Sequence, residues 1–436
     1  MIDVAHHTVI IVGGGPAGLA LAAVLGGWHP YFRASRMFSL RYPQLAEGLH
    51  PIKETLLGLN FKVLEGNGIL PVDFFRLLHH PRQLYEEPSQ IALEFRDEES
   101  IDYLLITQEE VGGLWNNVPQ NLLTLSPGQW MEFAFYPLAQ HVAEQGIDLN
   151  VNDLIIKRDL INYYHRIPDR FGQTDRIHTH EKVTRIEPHD QGFLLTSQDI
   201  DTETAHQYTC KYLIYAAGQR CIPHRLNVPG EDLPFVANHY DQPADFPGER
   251  IVVVGGGRSA DWAATELYDA GKQIYYVMRQ PFEGHWRLIS DSRHGLPYYA
   301  RLSEIIESRD ARFQTLYRTQ IREIEETQTG GLVTVARDDE EWALEADYVI
   351  LEIGGSVDYS LFEGFPPLKL MEKYDPYRFQ LHQVATHSYN SEVVNIPNLY
   401  MGGYLAAGLG LVVIAMHGAT YTIAGDILQK EGRIPV

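Results

Sequence analysis

The sequence predicts an α/β fold with parallel sheets, on three observations. Two short apolar runs, Val9-Ile10-Ile11-Val12 and Ile251-Val252-Val253-Val254, each end in three glycines and lead into a helix-forming stretch. Three more end in small residues or glycine: Tyr212-Leu213-Ile214-Tyr215 before Ala216-Ala217-Gly218, Tyr348–Ile353 before Gly354-Gly355, and Leu399-Tyr400-Met401 before Gly402-Gly403. Continuous apolar runs, rather than alternating ones, suit strands covered on both faces. Finally, 436 residues at 44% hydrophobic and 21% charged content suffice for a sizeable core, and exclude global disorder.

Taken in order, the first strand at 9–12 is followed by an Ala/Leu-rich helix from Pro16 to about Gly26. Residues about 28–98, with Pro30, Pro43, Pro51, Pro71 and Pro81 among scattered apolar patches, fit no strand–helix rhythm and predict a mostly helical insertion. Tyr103–Ile106 returns to strand, and Asp159–Tyr164 reads as helix with Tyr163-Tyr164 in the core. Alternating segments over about 176–216 predict antiparallel strands, and Pro223–Gly230 marks a domain crossing. The second strand at 251–254 leads to a helix over about 259–270 and a strand over 273–278. Phe282–Tyr299, with Trp286, Arg287 and Arg293, reads equally as a lid or cofactor clamp and as a packed hairpin or helix. Leu405–Leu428, broken by glycines and carrying His417 and Asp426, predicts a buried helix rather than a membrane span.

Composition narrows the function. Lys plus Arg number 35 against 57 Asp plus Glu, a formal charge of −22, which argues against nucleic acid as partner. The two cysteines, Cys210 and Cys221, form neither a CxxC pair nor a zinc pattern. His79-His80 has no further ligand at metal spacing, so a packing role is expected. The N-terminus lacks a basic region followed by an apolar one, so no signal peptide is expected and the cytoplasm is the expected compartment.

The glycine loops carry the chemistry. Gly13-Gly14-Gly15-Pro16-Ala17-Gly18 is GxGxxG between a strand and a helix. Its first glycine permits the tight turn, its second the approach of a diphosphate, and its third close helix–strand packing. The helix N-terminus adds free N–H groups and partial positive charge. Gly255-Gly256-Gly257-Arg258-Ser259-Ala260 repeats the pattern as GxGxxA. Arg279 ends the next strand, where an acid would favour NAD and a cation suits a 2′-phosphate, so NADPH is expected there. Two such loops imply two dinucleotides, and a flavin is the economical second carrier for hydride. The expectation is therefore α/β with two Rossmann-like dinucleotide-binding domains, for FAD and NADPH, plus the helical insertion. The FAD domain would comprise 1–223 and 366–436, and the NADPH domain 224–365.

At Gly112-Gly113-Leu114-Trp115 the sequence resembles the flavin-dependent monooxygenases with two dinucleotide domains, which include flavin-containing monooxygenases, amine N-hydroxylases and Baeyer–Villiger enzymes. Two longer strings, Gly13 through Tyr31 and Gly112-Gly113-Leu114-Trp115-Asn116 with Leu123 through Glu132, resemble the oxidative stress-induced growth inhibitor family. The resemblance implies FAD held by Gly13, Gly15, Pro16, Ala17 and Gly18. Trp115 would lie near the flavin and Val183 would meet the adenine through its backbone. Ala217, Gly218 and Gly402 would form strand-end turns at the same cofactor. NADPH would be held by Gly255, Gly257, Ser259 and Arg279. The strand ending at Ile106-Thr107 lacks the ribose-binding acid, with Glu109 and Glu110 slightly later, and His239 stands near the place of an FxGxxxH fingerprint without its glycine.

The resemblance implies a monooxygenase that takes electrons from NADPH and passes one oxygen of O2 to a small molecule, with N-hydroxylation of an amine as the leading reaction. Ser126 and Gln129 are the candidate catalytic polar groups, against a plain turn-capping role in Ser126-Pro127-Gly128-Gln129. A flavoprotein NADPH oxidase or reductase, and a redox-sensing regulatory flavoprotein, are the alternatives. A homo-oligomer is compatible with all three.

Overall fold

Parallel sheets organise both units into which the chain divides. One unit comprises Met1–Asn116, Ser126–Gln219 and Val357–Val436, the other Asn117–Leu125 and Arg220–Ser356. The structure, a computed structural model, describes residues 4–80, 91–219, 222–328, 330–371, 383–406 and 419–435. Cys221 and 407–418, the middle of the expected late helix with His417, lie outside the described residues.

In the first unit β1 (Val4–Val12) leads through the glycine turn into α1 (Pro16–Leu25). Proline at the helix start costs no hydrogen bond there, and the small residues that follow let α1 bury Gly18 through Leu25. The insertion follows as β2 (Trp28–Phe32), α2 (Arg36–Arg41), α3 (Pro43–Leu49), α4 (Phe61–Gly66), α5 (Pro71–His79) and β3 (Leu93–Asp97). It is mostly helical, as expected, but its two ends pair as antiparallel strands, Trp28 opposite Asp97 and Phe32 opposite Leu93. That pairing was hidden because β2 and β3 lie about sixty residues apart, with Pro30 inside one strand and charges in the other. β4 (Tyr103–Ile106) then returns to the sheet beside β1.

The chain continues through β5 (Leu123–Pro127), α6 (Leu138–Gln145), β6 (Leu154–Ile156), α7 (Lys157–His165) and α8 (Ile167–Arg170). Tyr163 and Tyr164 of α7 are fully buried. Tyr163 donates to the Tyr136 carbonyl at 2.5 Å and Tyr164 to the Met131 carbonyl at 2.9 Å, fixing the 131–136 loop. β7 (Ile177–His178), β8 (Glu181–His189), β9 (Gly192–Asp199) and β10 (Ala205–Tyr215) complete the run. Strand order is β7-β4-β1-β10-β9-β8; β7, β4, β1 and β10 are mutually parallel, and β10-β9-β8 is the expected antiparallel stretch.

The second unit holds β11 (Ile222–Pro223), β12 (Val236–Ala237), β13 (Arg250–Val254), α9 (Arg258–Asp269) and β14 (Gln273–Val277). Then come α10 (Phe282–Ser292), α11 (Pro297–Ser308), β15 (Phe313–Leu316), the antiparallel β16 (Gln320–Thr327), β17 (Gly330–Arg337) and β18 (Glu340–Ala346), β19 (Tyr348–Leu351) and β20 (Gly355–Ser356). The main sheet, β12-β19-β13-β14-β15, is wholly parallel. Phe282–Tyr299 is thus two helices packed on this unit, not a hairpin. Back in the first unit, β21 (Leu399–Met401) pairs with β10 in parallel, and α12 (Thr420–Lys430) buries Thr420 through Gly425. Among the described residues no helix is long and apolar enough to cross a membrane.

Candidate functional site

Backbone crowding defines the first glycine loop. Gly13 sits at φ +115, where a side chain is strained, and a Cβ there would run into the Ala216 carbonyl. A Cβ on Gly18 would run into the Gly13 carbonyl, so α1 starts flush against the end of β1. Parallel pairing holds this junction: Gly13 N–H donates to Ile106 O at 2.9 Å and Ala216 N–H to Val12 O at 2.8 Å.

Two distant segments close on the same loop. Gly112 N–H donates to Gly14 O at 2.8 Å, and a Cβ on Gly113 would stand 2.7 Å from the Gly15 Cα. The glycine pair before Trp115 therefore lets two backbones touch. From the C-terminal side, Gly402 N–H donates to Tyr215 O at 2.9 Å; Cβ atoms on Gly402 and Gly403 would meet the Ala216 and Ala17 methyls at 2.8 and 2.9 Å. Gly13, Gly15, Ala17, Gly18 and Gly402 thus converge on one floor, which Gly113 and Ala216 share. No side chain caps α1, whose cap residue is Gly15, so its first N–H groups stay available to an anion.

The remaining first-unit residues lie around or away from that floor. Trp115 is half-buried and packs on the aromatic cluster of Phe133, Phe135, Tyr163 and Tyr164. Val183 is buried in β8, the strand whose Glu181 N–H donates to Thr107 O at 3.0 Å. Ser126 lies one residue before the end of β5, its hydroxyl directed at Met131 Sδ at 3.7 Å, while Gln129 is buried in the next turn with its backbone N–H on Val151 O at 2.9 Å. Glu110 is exposed, 3.4 Å from His180 Nε2. Thr107, which sequence reasoning passed over while looking for an acid, packs its side chain where a Gly14 Cβ would point.

The second loop is built differently. Gly255 sits at φ +146 with the Glu352 carbonyl where a Cβ would go, matching Gly13. Above Gly257, however, a Cβ would meet nothing within 4 Å, which leaves room for a ligand to reach the backbone. Here side chains do the enclosing. Gln280 folds over the loop and donates from Nε2 to Gly256 O at 2.8 Å. Arg279 is exposed at the end of β14 and Ser259 is half-buried in the first turn of α9. His239 is 3.9 Å from Glu352 Oε1, and Glu352 also accepts the Tyr240 N–H at 2.9 Å, a strand-end tie rather than a loop contact.

Beneath this loop lies a buried carboxylate that no motif announced. Asp261 accepts from Tyr276 OH at 2.6 Å, His285 Nε2 at 2.7 Å and Tyr299 OH at 3.0 Å, and is fully buried. Burial and the Asp261 charge push both phenols well above their ordinary range. The group staples α10 and α11 to α9. The first unit has its own buried pair, His79 Nε2 and Glu132 Oε1 at 3.4 Å. Glu132 Oε2 accepts the Leu138 N–H at 2.8 Å, so the pair pins α5 of the insertion to the start of α6. Burial raises the Glu132 carboxyl to about 8 and lowers the His79 imidazole to about 3, leaving both neutral. His79 thus packs the insertion, and no cluster of metal ligands occurs among the described residues.

The model of a known family, described as pyridine nucleotide-disulphide oxidoreductase, matches residues 90–403, a span that includes the second glycine loop. The chain belongs to that family. It is 23% identical to human oxidative stress-induced growth inhibitor 1 over 98% of this chain and 96% of that one, bearing out the resemblance read from the two motif strings. It spans 62% of the length of human oxidative stress-induced growth inhibitor 2, also at 23% identity and over 62% of this chain. Among solved structures it is similar to bacillithiol disulfide reductase from Bacillus cereus (TM-score 0.65, 18% identity, 98% and 99% of the two chains). It is also similar to ornithine N-hydroxylase from Kutzneria sp. 744, with reduced FAD and NADP+ (TM-score 0.59, 12% identity, 98% and 100%). The family's members bind FAD and NADP(H), and the α/β fold with two nucleotide-binding units is theirs. The cradles fit these groups: one has an uncapped helix over a glycine floor, the other open space over Gly257.

Proposed function

We propose that the chain is an FAD-dependent, NADPH-consuming monooxygenase that hydroxylates a small-molecule amine on nitrogen. The balance is NADPH + H+ + O2 + R–NH2 giving NADP+ + H2O + R–NHOH. Bound FAD supplies the two-electron relay between nicotinamide and oxygen. Gly13, Gly15, Pro16, Ala17 and Gly18 hold its diphosphate at α1, with Ala217, Gly218 and Gly402 at the neighbouring turns and the Val183 backbone at the adenine. Trp115 and the aromatic cluster behind it keep water from the reacting ring. Ser126 and Gln129 offer hydrogen bonds to the oxygen being transferred. Gly255, Gly257 and Ser259 receive the NADPH diphosphate and Arg279 its 2′-phosphate.

The observation that carries oxygen rather than a disulfide as acceptor is the placing of thiols. Pro16 and Ala17 open the helix at the first cradle, with no cysteine in that turn, and Cys210, the cysteine among the described residues, is fully buried with its thiol pushed up by desolvation. Air-saturated turnover with a panel of amines tests the reading. Hydroxylated product should match NADPH consumed, and Ser126→Ala or Gln129→Leu should divert electrons to hydrogen peroxide. Peroxide alone across the panel, or full turnover without oxygen on an added electron acceptor, would replace this reading with an oxidase or reductase.

A further inference from the structure

Arg258, at the first position of α9, carries an unanswered charge. Its guanidinium carbon stands 5.4 Å from the centroid of the Tyr299 ring. Nη1 is shut off from solvent with no hydrogen-bond partner among the described residues, although the side chain as a whole is only half-buried. Tyr298, 6% exposed, lies beside the guanidinium, and its neutral phenol offers that group polarity without charge. The nearby carboxylate acts on this charge only through space: Asp261 spends its oxygens on Tyr276, His285 and Tyr299. No carboxylate lies within ion-pair distance of Arg258 among the described residues, whereas Arg250, Arg301 and Arg312 of the same unit are each paired.

A shielded guanidinium whose neighbours are a neutral phenol and a ring face is costly unless an anion reaches it. The Tyr299 face steadies the cation without neutralising it. The ligand must be anionic and must reach the start of α9. That helix begins at Gly257 with no side-chain cap, and the space above Gly257 is open. On the other flank Gln280, a neutral amide, covers Gly256, so no carboxylate repels an anion there.

We propose that Arg258 is a binding residue for the diphosphate of the nicotinamide nucleotide, separate from the 2′-phosphate contact given to Arg279. The inference rests on the NADPH reading of this cradle and divides the cofactor's charge between two arginines. Arg258 serves what NADPH and NADH share, and Arg279 what distinguishes them. Asp261, through Tyr299, is a positioning residue that holds the ring under the guanidinium.

Titration calorimetry on the FAD-loaded full chain tests this with NADPH, NADH, ADP-ribose and 2′-AMP, the last lacking a diphosphate. Arg258→Gln should weaken NADPH, NADH and ADP-ribose alike, by about tenfold or more, and leave 2′-AMP unchanged. Arg279→Ala should weaken NADPH and 2′-AMP and spare the other two. Unchanged ADP-ribose affinity in Arg258→Gln, or a loss confined to NADPH and 2′-AMP, overturns the assignment. Should Arg258→Gln lose 2′-AMP as well through misfolding, arginine modification of the unmutated protein by phenylglyoxal decides. ADP-ribose should protect Arg258 and 2′-AMP should not, and absence of that protection overturns the proposal. Wild-type protein that binds none of the four nucleotides would instead defeat the NADPH reading of the cradle.

Discussion

The two glycine loops share a motif and differ in what surrounds them. The first is walled by backbone: Gly13–Gly18 is met by Gly112-Gly113, Ala216 and Gly402-Gly403, all at contact distance. The second has backbone against it at Gly255 alone, is covered at Gly256 by the Gln280 side chain, and stays open above Gly257. A backbone wall cannot swing aside, whereas a side-chain wall can. The first cradle therefore suits a resident cofactor and the second a cosubstrate that enters and leaves at each turnover.

The largest effect expected from this contrast is at Gly13. Gly13→Ala adds strain at positive φ and a clash with Ala216, and should cost on the order of 3–5 kcal/mol with loss of most bound flavin. Thermal unfolding and flavin absorbance per chain would measure it. Gly257→Ala, in open space, should leave unfolding of the nucleotide-free protein within about 0.5 kcal/mol yet raise the KM for NADPH about tenfold. Equal destabilisation by both substitutions would erase the distinction. Next in size, Arg279→Ala should raise the KM for NADPH by about tenfold or more while leaving that for NADH nearly unchanged, read from steady-state rates with each nucleotide.

The units also differ in how they keep a carboxyl buried. Asp261 has three donors, whereas Glu132 with His79 is held neutral by desolvation. The signs follow from linkage. His79, depressed to about 3, adds stability as pH rises from 3 towards its unfolded value of 6.5. Glu132, raised to about 8, removes stability as pH rises from its unfolded value of 4.5 towards 8. The two cancel in the middle, so the pair contributes a plateau and then a loss of about 2 kcal/mol between pH 6.5 and 8. Denaturant titrations should show that loss, and Glu132→Gln should abolish it. The smallest effect belongs to Cys210: Cys210→Ala should leave NADPH oxidation within about twofold of wild type, measured at 340 nm, because a buried thiol is no nucleophile.

The glycines were legible in the sequence because their role is set by the backbone, and the strand–glycine–helix order fixes where that backbone runs. The parallel runs at 9–12, 251–254 and 348–351 were legible because strands buried on both faces are continuously apolar. Arg258, Gln280, Thr107 and Asp261 were not, since their roles depend on which neighbour folds over them. Asp261 meets Tyr276, His285 and Tyr299 on three different elements, and no local pattern joins those positions. The same limit left 282–299 undecided between a lid and a packed element until those contacts settled it as helices on α9. The strand pair that bounds the insertion failed for a related reason, its partners being remote in sequence.

Anaerobic titration of the FAD-reconstituted protein with NADPH, followed in the visible spectrum, tests the central claim most directly. Two cradles that pass electrons require a yellow protein, about one flavin per chain, bleached by about one equivalent of NADPH. A folded protein that stays colourless after incubation with excess FAD, or whose bound flavin is indifferent to NADPH, would contradict the account.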